Sequence, residues 1–190
     1  MRLGYFFSLG LLTILLSGCG VYVNVDNNYT AGNTVRYHKA KELAIGSFTY
    51  LPYIKGELSH PTEVSLEGPE TIYLSVPVAD LVKKITVSEL EKTGIPISDL
   101  SDYVLNASVE YLRVGVVGFS GLQYTYIVNY EIKNSKDGSV LVSQKYAATP
   151  LTMSGNVGRT PIDYNIISMI QECYTSFVTD NRVRTLLRVE

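Results

Sequence analysis

Two thiols, two imidazoles and one serine set among glycines are the side chains of this 190-residue chain best suited to covalent or metal chemistry. Cys19 follows Leu16-Ser17-Gly18, and the small pair Ser17-Gly18 leaves the backbone before the thiol open to a peptidase. Cys173 falls on an apolar repeat with Ile162, Ile166, Ile170 and Phe177, which is the setting of a buried, inert thiol. His38 and His60 stand in segments read as tether and loop, so one thiol and two loop imidazoles make no Cys/His metal site. Gly118-Phe119-Ser120-Gly121 partly matches a nucleophile elbow. That motif needs Gly where Leu122 stands, and it turns from strand into helix rather than from strand into strand. These glycines therefore read as turn residues. Glu67/Glu70 and Glu89/Glu91 read as solvated carboxylates, and no phosphate-cradling loop occurs. No catalytic residue, metal or cofactor is expected, and the chain is not expected to be an enzyme.

Two features could bind rather than react. Tyr124, Tyr126 and Tyr130, with Tyr146, form a stripe that would suit a hydrophobic or glycan ligand. The plainer reading is a sheet face covered by helices. Arg182, Arg184 and Arg188 could meet anionic headgroups or an acidic partner, or be ordinary solvated charge.

The elements that place Cys19 are at the start of the chain. Arg2 supplies a positive charge, and Leu3 to Leu16 runs almost without polar interruption. Roughly 14 residues at about 1.5 Å each give ~21 Å of helix, too short for a ~30 Å hydrocarbon core. Residues 1–18 thus read as a secretion signal rather than a span. With its leader, Leu16-Ser17-Gly18-Cys19 resembles the lipobox of bacterial lipoprotein precursors at every position. That resemblance implies cleavage between Gly18 and Cys19, a diacylglyceryl thioether on Cys19, and N-acylation, palmitate included, of the new terminus. Two or more acyl chains would make release from a membrane negligible. Gly20 follows where retained inner-membrane lipoproteins carry Asp, so the outer membrane facing the periplasm is the expected address.

Beyond the signal, roughly 170 residues suffice for one domain that buries about 70% of its unfolded surface. Residues 19–40, rich in Asn, Asp and Gly, read as a lipidated tether with an r.m.s. span near ~25 Å if flexible. The alternation of Val21, Val23 and Val25 leaves a short added strand open. The formal charge of −2 argues against nucleic acid as a partner.

Residues 41–190 read as a single α+β domain. Leu43 to Tyr53 is the first strand, and Lys55 to Thr71 a long polar connection. From Ile72 or Val78 to Lys92 the period is helical: Val78, Leu81, Val82, Ile85 and Leu90 face inward, with Asp80, Lys83, Lys84, Glu89 and Glu91 outward. Gly94 stops the helix. Three alternating strands follow: Asp102–Val114 with Leu105, Ala107, Val109 and Tyr111 on one face, then Tyr124–Lys133, then Val140–Tyr146 after the Asp137-Gly138 turn. A second helix opens at Thr160-Pro161, and Arg182–Glu190 suggests a last short strand. The expected architecture is β-α-β-β-β-α-β, an antiparallel sheet of four to five strands with two helices packed on one face.

This order resembles the auxiliary lipoproteins of ABC-type transporters and the YajG-like lipoproteins. The likeness runs from the strand at Leu43-Ala44-Ile45 through Ser88-Glu89-Leu90-Glu91-Lys92-Thr93-Gly94 and Asp102-Tyr103-Val104-Leu105-Asn106-Ala107 to the hairpin Lys136-Asp137-Gly138-Ser139 and the final helix. It implies a non-enzymatic accessory protein, held to the membrane by its N-terminal lipid and working beside an envelope protein partner. It carries over no binding residue. A small-ligand or lipid carrier, with ligand held between sheet and helices, and an activator of a cell-wall synthase are the competing expectations.

Overall fold

The computed structural model describes residues 20–25, 35–66, 71–118, 121–153 and 162–188. In chain order the elements are β1 Gly20–Val23, β2 Ala44–Tyr50, α1 Leu51–Ile54, β3 Glu63–Leu66, β4 Thr71–Leu74 and α2 Val78–Thr93. They continue with β5 Tyr103–Val117, β6 Gly121–Asn134, β7 Val140–Ala147, β8 Leu151–Met153, α3 Ile162–Thr179 and α4 Asn181–Leu187. The signal segment, Gly18 and Cys19 lie outside the described residues, as do Thr160 and Pro161.

The spine is the β5–β6 hairpin, whose strands of 15 and 14 residues reach about 50 Å when extended. No neighbour is as long, so each flank is covered by two short strands placed end to end. β2 runs parallel to Val104–Val109 of β5, and β3 parallel to Arg113–Val114. On the other side β7 pairs antiparallel with Ile127–Lys133 of β6, and β8 with Leu122–Tyr124. β4 then pairs antiparallel with β3, and β1 parallel with β4, so that β1 is an edge.

The expected antiparallel sheet of four to five strands with two helices is therefore replaced by a mixed sheet of eight strands and four helices. The physical reason is that the extra strands are only three or four residues long, with one or two alternations each. They borrow their order from the long hairpin rather than from their own pattern. Strand β3 lies in the stretch read as a connection, and β4 takes up the residues at Ile72, the earlier of the two expected helix starts, so Ile72 begins no helix. Strand β8 lies between the last expected strand and Thr160, where the sequence pattern marks no element. The strand left open around Val21 forms as β1. The end of the chain is helix α4, not a strand, because the Asp180 carboxylate caps it by accepting from the Arg182 amide at 2.9 Å.

Two residues face opposite to expectation. Glu110 is an extra residue in β5, since Val109 pairs with Val128 and Tyr111 already with Ile127. This bulge reverses the alternation, so Leu112 and Val114 are buried while Tyr111 turns to the other face. Glu89 is fully buried, because α3 packs against the side of α2 that carries it. Its Oε1 accepts from Gln171 Nε2 at 3.0 Å.

The two long helices lie together against one face of the sheet. Tyr130 of β6 touches both: its hydroxyl is 3.0 Å from Thr86 Oγ1 of α2, and its ring is 4.7 Å from that of Phe177 in α3. Gly94 ends α2 in the left-handed region (φ 78°), and an added Cβ would meet the Tyr37 carbonyl. Tyr37 also donates its amide to Thr93 O at 2.7 Å and its hydroxyl to Val178 O at 2.8 Å, fastening the segment before β2 to both helices.

Candidate functional site

Strand periodicity sends Tyr124, Tyr126 and Tyr130 to the helix side of β6, and all three are at most 1% exposed. Burial pushes up the pKa of each hydroxyl. Asn165 opposes the rise at Tyr124, and Thr86 opposes it at Tyr130. The Tyr126 hydroxyl has no hydrogen-bond partner among the described residues. Ile166 of α3 is fully buried in the same core. Tyr146 stacks at the edge of the cluster, 6.1 Å from the rings of Tyr130 and Phe177, and donates to Asp180 Oδ2 at 2.9 Å. Cys173 belongs to the same core, where burial pushes its thiol up to about 12 and keeps it protonated.

The other candidates are dispersed. His38 and His60 are exposed, and His60 lies edge-on to Tyr73 at 6.2 Å. Among the described residues no group of three or more His, Cys, Asp or Glu could hold a metal. Gly118 (φ 63°) and Gly121 flank the β5–β6 turn, with Val117 paired to Gly121, so this segment joins strand to strand. Phe119 and Ser120, and the Glu67/Glu70 pair, lie outside the described residues.

The arginines separate. Arg182 is spent locally, its guanidinium donating to Asp180 at 2.6 and 3.1 Å. Chiefly through Arg182, the Asp180 carboxyl is lowered to about 2. Arg188 instead lines a groove of about 390 Å³ with Lys39, Ala40, Lys41 and Leu187. Across residues 40–42 lies a second cleft of about 430 Å³, bounded by Pro96, Leu100, Ser101, Asp102 and Tyr103. Lys41 is the shared post: its amide donates to Leu187 O at 2.9 Å and its Nζ to the Tyr103 hydroxyl at 2.7 Å. Ser101, itself buried, donates its hydroxyl to Glu42 O at 2.5 Å and accepts from the Tyr103 amide at 3.0 Å. The floor is thus fixed, while Leu100 stands 94% exposed at the lip and Ile97 is also exposed.

Sequence reading passes over this cleft. Its one signal is a leucine in the otherwise polar turn Ser98-Asp99-Leu100-Ser101-Asp102, where an apolar side chain has no local reason to stand.

The cleft lies at the pole where β5 begins and β6 ends. The start of β1 lies toward the opposite pole, because Gly20 pairs with Thr71 and β3 beside it ends against Val114. Cys19, the residue expected to carry lipid, immediately precedes β1 in the sequence. No helix among the described residues is long and apolar enough to cross a membrane.

No protein-family model matches the chain, and no curated protein matches it. Among solved structures, a Xanthomonas campestris protein assigned to the uncharacterised family DUF330 superposes with a TM-score of 0.53 at 17% identity, over 87% of this chain and 91% of that one. A hypothetical protein of Chlamydia trachomatis gives 0.51 at 10% identity, over 76% and 96%. A minor lipoprotein of Acinetobacter baumannii gives 0.46 at 10% identity, over 78% and 94%. The first two show that most of the chain has a fold already seen in bacterial proteins.

Proposed function

We propose that the chain is a lipid-anchored envelope protein that works by contact with a protein partner and carries no catalysis of its own. The observation that supports this reading is the polar division of the domain: the chain enters at the Gly20 end, and the fixed cleft with exposed Leu100 lies at the far end. A body held at one pole presents the other to whatever lies beyond the membrane surface. The reactive-looking side chains fit the same reading, since the tyrosine hydroxyls and the Cys173 thiol are kept protonated inside the core. Gly20 after Cys19 favours the periplasmic side of the outer membrane. The transporter-auxiliary resemblance makes an ABC-type lipid transport system the partner of choice.

A photo-reactive residue at Ile97 in the lipidated chain tests this in intact envelopes. The expected result is one discrete adduct, weakened about fivefold or more by Leu100→Asp, because an exposed apolar anchor concentrates binding energy. No adduct, or one indifferent to Leu100→Asp, would overturn the assignment of this cleft.

A further inference from the structure

The β5–β6 hairpin carries an apolar tip at the anchor pole. Val116 and Val117, paired with Leu122 and Gly121, are 51% and 43% exposed. Solvent-facing hairpin ends are ordinarily polar, yet no charged residue occurs from Val114 to Tyr130.

The registers fix where this tip stands relative to Gly20. Gly20 is level with Thr71, Ile72 with Val64, and Ser65 with Arg113, so Gly20 and Arg113 lie on nearly one row across the sheet. Val116 and Val117 are three and four residues farther on, about 10–13 Å along an extended strand. β1 and β4 run antiparallel to β3 and β5, so the start of β1 and the end of β5 face the same pole. Three steps of twist of about 20–25° turn β5 away from β1 and shorten that lead to between about a quarter and a half. The tip then stands roughly 3–6 Å beyond the Gly20 row.

We infer that Val116 and Val117 form a second, non-covalent contact with the bilayer, dipping into the interfacial layer beside the lipid on Cys19 and fixing the domain upright. This rests on the proposed lipidation of Cys19, which supplies the surface. The occupant is the bilayer rather than a protein, because an anchor one residue from β1 leaves no length of chain to lift this pole away.

Depth, not binding, is the readout, since the acyl chains alone retain the protein. The mature lipidated chain carrying Val117→Cys is labelled with an environment-sensitive fluorophore. Cys173, fully buried, does not compete. The protein is placed in vesicles of phosphatidylethanolamine and phosphatidylglycerol containing lipids brominated near the headgroup end of the acyl chain. Asp137→Cys, at the exposed turn between β6 and β7, serves as the far-pole control. At least threefold stronger quenching at 117 than at 137 is expected, reduced by half or more when Val116→Asp is added. Equal, solvent-like emission at both positions would overturn the contact. So would a label at 117 that is shielded from aqueous iodide but unquenched in envelopes fused with the bromolipid vesicles, because a protein would then cover the tip. A separate fractionation of Cys19→Ala distinguishes the two levels. If that variant leaves the membrane while the label at 117 stays unquenched, the anchor stands and the second contact falls.

Discussion

Asp180 gathers three functions in one carboxylate: cap of α4, partner of Arg182 and acceptor for Tyr146. It stays ionised in the fold down to about 2, against about 3.9 for a free aspartate. A depressed folded value means that its stabilisation is complete above about pH 5 and fades as pH falls toward 2. Asp180→Ala should lower the unfolding free energy by about 1–2 kcal/mol at neutral pH. Urea titrations should show that deficit closing toward pH 2; a gap constant with pH would contradict the ion-pair account. The neighbouring tyrosines give a paired test. Tyr130→Phe deletes a buried hydrogen bond to Thr86 and should cost about 1 kcal/mol. Tyr126→Phe removes a hydroxyl buried without a partner and should be neutral or stabilising by up to about 1 kcal/mol. Equal losses from the two substitutions would refute the difference in their surroundings.

At the level of elements, irregular positions decide which face a strand buries. β2 shifts register between Ile45 and Phe48, and at Gly46 an added Cβ would collide with the Asn106 side chain and with Val104. The Asn106 Oδ1 also accepts from the Ser47 amide at 2.9 Å, so it cannot simply swing away. Gly46→Ala is therefore expected to cost about 1–3 kcal/mol, measurable by thermal or urea unfolding. These irregularities also mark where the sequence is readable. α2, β6, β7 and α3 each repeat their pattern long enough to declare a period, and Gly94 and Asp137-Gly138 declare their ends. Glu63-Val64-Ser65-Leu66 offers only two alternations, too few to tell a strand from a loop. Arg182-Val183-Arg184 alternates over so short a run that the Asp180 cap, rather than periodicity, settles it as helix. The Glu110 bulge has no compositional mark at all, which is why Tyr111 is misplaced by pattern alone. The cleft at Leu100 escapes for a related reason: its members come from residues 40–42 and 96–103, which are brought together by the parallel pairing of β2 with β5 and by the backbone bonds of Leu43 to Pro96 and Ser98.

For the whole molecule, the decisive experiment concerns one sulfur. Cys19→Ala should move the protein from the membrane fraction to the soluble periplasmic extract, or leave it as an uncleaved precursor. Mass analysis of the wild type should find the acylated cysteine at the mature terminus. An unmodified thiol there would remove the anchor from the account while leaving the fold untouched. The strand that follows this position has a mechanical corollary. β1 lies parallel to β4 over four residue pairs, from Gly20 with Thr71 to Val23 with Leu74, and the Ser75 amide then donates to Val23 O at 2.9 Å. A pull arriving through residue 19 runs along the length of β1, so the ladder is loaded in shear with its rungs sharing the force. A strand peeled sideways would yield one rung at a time. Tugged by a moving envelope, this domain would resist as a bolt does, not as a zip.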